Sequence, residues 1–112
     1  MNTSDFYALL QKMSGEKCYT LSNDNPAEME VDRNGITVLY PSGSEVFLPR
    51  EMVEHAIREL ISRGELSVDE VHIDITKKHR TRTDKLMAVV RKLPGVTIQK
   101  YPRKLFYKIN RP

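Results

Sequence analysis

The chain has 112 residues, of which 39% are hydrophobic and 29% charged, with one cysteine and no tryptophan. That length supports one domain with a modest core, and the composition is that of a globular chain rather than a disordered one. No apolar run approaches the ~20 residues of a membrane helix, residues 1–15 lack the basic start and apolar stretch of a secretory signal, and Cys18 alone makes neither an internal disulfide nor a zinc site. The expectation is a cytoplasmic protein with no metal and no cofactor.

The net charge of +3 conceals a division. Residues 1–76 hold 6 Lys+Arg against 14 Asp+Glu, a balance of −8, whereas residues 77–112 hold 12 Lys+Arg against a single acid, Asp84, a balance of +11. Such separation of sign points to a face for a polyanion. The plain alternative is that the two ends neutralise each other across the fold.

Taken in order, Phe6, Leu9, Leu10 and Met13 share one face at helical spacing, Ser4 or Asp5 offers a cap and Gly15 a stop, so a helix is predicted over 4–13. Residues 17–21 are a brief β-prone run and 22–26 a loop. Met29 and Val31 alternate with Glu30 and Asp32, Asn34-Gly35 is a hairpin dipeptide, and the runs 36–40 and 45–48 flank a turn at 41–44. Together they predict a small antiparallel meander.

Pro49 at a first helical position opens a helix with the apolar stripe Met52, Val53, Ala56, Ile57, Leu60 and Ile61, closed by Gly64. Ser67 and Glu70 fit a capping box, while Val71, Ile73 and Ile75 alternate. A short helical turn at 68–71 and an extended segment at 72–76 are expected. Thr81 with Asp84 fits the cap of a helix over 81–93, with Leu86, Val89, Val90 and Leu93 as core stripe and Lys85, Ala88, Arg91 and Lys92 opposite. Pro94-Gly95 ends it, and 96–100 and 104–109 alternate as strands around Tyr101-Pro102-Arg103. The fold class expected is α+β in a single domain 1–112: an N-terminal helix and small antiparallel meander in 1–48, then helix, short element, helix and β-hairpin in 49–112.

That last order resembles a winged helix-turn-helix domain. The resemblance covers about half of the chain; the N-terminal helix and meander are additional to the family's unit, and the middle helix is weakly marked. It implies that 50–63 supports, that 81–93 is a recognition helix for the major groove of duplex DNA, and that the hairpin at 96–109 is a wing on the backbone. The strings GITVLYPSGSEVFLPREMVEHAI and TDKLMAVVRKLPGV are also similar to small uncharacterised bacterial domains, some found near restriction and phage-defence systems.

The residues themselves agree with a nucleic-acid face. Lys77, Lys78, Arg80 and Arg82 crowd a predicted helix N-terminus, where cations oppose the dipole and repel one another unless an anion neutralises them. Thr81 and Thr83 add hydroxyl donors. Arg82 has the fork that pairs with guanine O6 and N7, while Lys85 and Lys92 suit phosphates. At the wing, Lys100, Arg103 and Lys104 surround Tyr101 and Pro102. A plainer reading serves Arg91 and Lys92, which complement the dipole at a helix C-terminus.

Catalytic patterns are lacking. His72 with Asp74 offers two metal ligands and no third, His55 borders an apolar stripe, and His79 belongs to the basic run. No Gly-rich phosphate loop, Ser-x-x-Lys or His-Glu-x-x-His is present. The expectation is a non-catalytic DNA-binding module of regulation or genome defence, with a log–log salt slope near −5 if about six phosphates are neutralised. RNA is disfavoured by the absence of an aromatic ribonucleoprotein pattern and of a Gly-x-x-Gly clamp. The alternative is an interaction or inhibitor module, docking either its basic half or the acids Glu51, Glu54, Glu59, Glu65, Asp69 and Glu70 on a protein partner. A homodimer through the meander edge or the apolar Phe6, Tyr7, Leu9 and Leu10 is a further expectation.

Overall fold

A computed structural model describes residues 2–21, 24–77, 79–100 and 102–108, with the backbone alone at 80 and 81. The fold is α+β, with antiparallel sheets of four and three strands. Helix α1 spans Thr3–Lys12. Asn2, rather than Ser4 or Asp5, caps it: its side chain accepts the Asp5 N–H at 2.9 Å, and the Asp5 carboxylate accepts the Asn2 N–H at 2.9 Å. The box satisfies two donors that the helix start would otherwise leave orphaned.

Strands β1 (Lys17–Tyr19), β2 (Pro26–Val31), β3 (Gly35–Leu39) and β4 (Glu45–Pro49) form the meander in chain order. Register sets Met29 opposite Val38 and Ile36 opposite Leu48. The inward side chains Cys18, Ala27, Met29, Ile36, Val38 and Leu48 are buried. The β2–β3 turn lies one residue earlier than the Asn34-Gly35 signal predicts, since Asp32 N–H donates to Gly35 O and Gly35 already belongs to β3. Asp32 decides the turn by accepting the N–H groups of Asn34 (2.7 Å) and Gly35 (3.1 Å) on one carboxylate oxygen. Glycine is required at 35 for a different reason: a Cβ there would stand 2.3 Å from the Leu48 carbonyl oxygen and 2.6 Å from the Phe47 ring.

Helix α2 (Arg50–Arg63) starts one residue after Pro49, which stands at the cap, and ends at a left-handed Gly64 (φ 79°). A short strand β5 (Glu65–Ser67), which local pattern did not reveal, then pairs with β7. Ser67 caps α3 (Val68–Glu70) by accepting the Glu70 N–H at 3.1 Å. The segment expected to be extended at 72–76 is instead a π-helical turn, Val71–Ile75, closed by Thr76 N–H donating to Val71 O at 2.9 Å. Its wide turn brings Val71 and Ile75 to the core together and leaves Ile73 57% exposed, so the alternating pattern reflects no strand.

Helix α4 (Arg80–Val90) is capped by His79, whose Nδ1 accepts the Arg82 N–H at 3.4 Å, and not by Thr81. Strands β6 (Val96–Lys100) and β7 (Arg103–Tyr107) follow, and the second sheet runs β5-β7-β6. Leu66, Leu105 and Ile98 are register partners across it. Helix α4 sits between β1 and β4 on one side and α2 with the π turn on the other. Leu86, Met87, Ala88, Val89 and Val90 are therefore all buried, as a helix apolar on every side must be. One core cluster joins both halves of the chain.

Helix α1 ties the two sheets together. Phe6 meets the Tyr107 ring edge-on at 5.7 Å, and the Tyr7 hydroxyl donates to Asp32 O at 2.7 Å beneath the Arg50 guanidinium, 4.2 Å from the ring centre. Burial pushes the Tyr7 phenol up to about 12. Phe6, Tyr7 and Leu10 are thus occupied inside the chain, which withdraws the apolar area on which α1 was offered as a dimer face. Among the described residues no helix is long and apolar enough to cross a membrane. Gly35→Ala is expected to cost roughly 3 kcal/mol in urea unfolding. Removing the ring as well, in Gly35→Ala with Phe47→Ala, should not restore stability, because the Leu48 carbonyl remains.

Candidate nucleic-acid interface

The path from the π turn into α4 is held by hydroxyls. Thr76 and Thr83 bond to each other at 2.6 Å, Thr83 Oγ1 donates to His79 O at 3.2 Å, and His72 Nδ1 lies 3.2 Å from Thr83 Oγ1. Thr83 is 3% exposed, so its hydroxyl fixes the bend rather than reaching solvent as a donor to phosphate. Lys77, in that bend, takes a left-handed backbone (φ 54°), which a residue other than glycine holds at a cost of order 1 kcal/mol.

Beside this bend lies a depression of about 330 Å³, walled by Val68 and Asp69 of α3, His72, Thr83 and Asp84 of α4, and Arg103 of β7. The β6–β7 hairpin and the start of α4 therefore share one concavity. Lys77 and Arg103 are exposed and Arg82 is half-buried, and none of the three makes an ion pair among the described residues. Lys78 and Tyr101 lie outside the described residues, as does the side chain of Arg80.

The other expected contacts are engaged elsewhere. The helix face bearing Lys85, Ala88, Arg91 and Lys92 is not an outer face but packs against the meander, because α4 is apolar on both sides. Lys85 Nζ stands 4.7 Å from the centre of the Tyr40 ring, and burial lowers its pKa. Lys92 pairs with Glu16 at 3.0 Å, Lys100 with Asp24 at 2.6 Å, and Lys104 with Glu65 at 3.6 Å. Arg91 donates to Tyr19 O (3.0 Å), Thr20 O (3.3 Å) and Asp24 Oδ1 (3.1 Å). Neutralisation across the fold thus accounts for Arg91, Lys92, Lys100 and Lys104, while Lys77, Arg82, Arg103 and Lys108 have no ion pair among the described residues.

Asp24 is the residue that sequence reasoning missed. It sits in the loop between β1 and β2, and its partners are 67 and 76 residues away, beyond any local pattern. Hydrogen bonds from Lys100 and Arg91 hold its carboxyl below the ordinary aspartate range. Cys18 is buried, and burial pushes its thiol up, away from a reactive thiolate. Among the described residues no three His, Cys, Asp or Glu side chains converge as a metal site. The chain matches no protein-family model, and neither the curated proteins nor the solved structures yield a similar chain or fold.

The Asp24 clamp carries a pH signature. A carboxyl lowered by folding stabilises the fold above the unfolded aspartate value of about 3.9, and that contribution is lost as pH falls through the lower folded value. Carboxyl-detected NMR titration should place Asp24 below that value, and Lys100→Ala should return it upward.

Proposed function

We propose that the unit from α2 to β7 is a winged helix-turn-helix domain that binds duplex DNA and catalyses no reaction. The chain order α2, β5, α3, α4, β6, β7 and the sheet order β5-β7-β6 support this reading, with the hairpin beside the start of α4. The observation that carries it is the set Lys77, Arg82 and Arg103, left without ion pairs among the described residues at the bend into α4 and the depression beside it, while Arg91, Lys92, Lys100 and Lys104 are matched to the chain's own acids. Lys78 and Arg80 belong to the same segment by sequence. Phosphates at this end would relieve the repulsion and use the helix N–H groups. Duplex DNA is favoured over RNA because the B-form major groove admits a helix and the A-form groove does not.

One observation favours docking on a protein partner instead: the outward face of the meander carries Glu28, Glu30 and Glu45, without ion pairs among the described residues, around Phe47, which is 44% exposed. Fluorescence anisotropy with a mixed-sequence duplex of about 30 base pairs separates the two readings. DNA binding should show a log–log salt slope of roughly −4, for four or five phosphates neutralised. Arg82→Ala and Arg103→Ala should each weaken binding and reduce the slope by about 1, while Lys92→Ala and Lys104→Ala should change it much less. No binding at low salt would end the DNA reading in favour of a protein partner.

A further inference from the structure

We propose that Asp84 is a specificity-determining residue, selecting cytosine at the base pair that faces the depression between α4 and the wing; this rests on the DNA-binding reading. Asp84 is the only acid in residues 77–112. It lies beyond the first turn of α4, which holds no acidic residue, so complementing the helix dipole does not account for it. It is half-exposed and makes no ion pair among the described residues, although Arg103 lines the same depression. Asp69 of α3 lines the same depression, also without an ion pair among the described residues.

Carboxylates on a surface that meets phosphates repel them. The groups on DNA that a carboxylate can accept from are the exocyclic amines of the base edges, and for Asp the matching donor is cytosine N4. The walls divide the work accordingly. Arg103, on the wing, holds the backbone, and the Thr76–Thr83 and Thr83–His79 bonds fix the backbone segment that presents Asp84. The carboxylate therefore acts twice, by accepting from an amine where one is offered and by repelling the O6 and O4 acceptors of guanine and thymine.

The test is enrichment of bound duplexes from a randomised pool by the full chain, followed by sequencing. The wild type should prefer cytosine at one position by about tenfold. Asp84→Asn, which keeps the shape and offers the donor–acceptor pair suited to adenine N6 and N7, should move that position to adenine. Asp84→Ala should abolish the preference there and bind mixed duplex at least as tightly, since a repulsion is removed. An unchanged cytosine preference in Asp84→Asn, or wild-type retention with no preferred base, overturns the assignment while leaving DNA binding intact. Failure of the wild type to retain any duplex at low salt is a different result, which removes the DNA-binding reading and this assignment together.

Discussion

Burial of the second half of α4 on all sides is the constraint from which the rest of the molecule follows. Five consecutive residues, Leu86 to Val90, are excluded from water, and a single apolar layer cannot cover a full helical circumference. The chain therefore needs a second layer, and the meander supplies it through β1 and β4 while α2 and the π turn cover the other side. A buried Leu, Met or Val contributes about 1.5–3 kcal/mol, whereas exposed ion pairs contribute about 1 kcal/mol or less each. Apolar contact docks the meander, and the exposed ion pairs between the halves add little to it.

That packing divides the basic half of the chain. At the C-terminal end of α4 the acids of the meander and its loops come within reach, and Arg91 and Lys92 are taken by Asp24 and Glu16. The β6–β7 hairpin is drawn in on the same side through Lys100. At the N-terminal end Lys77 and Arg82 meet no such acids among the described residues, next to a depression with carboxylates of its own. The opposed signs along the chain serve the fold at one end of a single helix and leave a candidate binding surface at the other.

Legibility followed the range of the forces involved. Helices α1 and α2 were readable because one stripe and a stop signal are local, and the strand runs because alternation is local. The caps moved by two or three residues, as at Asn2 and His79, because several nearby polar side chains compete to satisfy the same N–H groups. The π turn was misread because Val71, Ile73 and Ile75 alternate in sequence while only two of the three face the core. Strand β5 is three residues long and exists because β7 pairs with it, which no local propensity encodes.

By itself the sequence determined the α+β class, the meander, the positions of the long helices and the concentration of cations after residue 76, since each is written in periodicity, turn chemistry or composition. Only the tertiary structure decided which cations remain available. Lys85 beside the Tyr40 ring, Lys100 on Asp24 and Thr83 within a buried hydroxyl cluster look like unengaged donors in the sequence and are engaged within the fold, because their partners lie on other elements. Charge is a property of a residue, but its availability depends on what the fold brings against it.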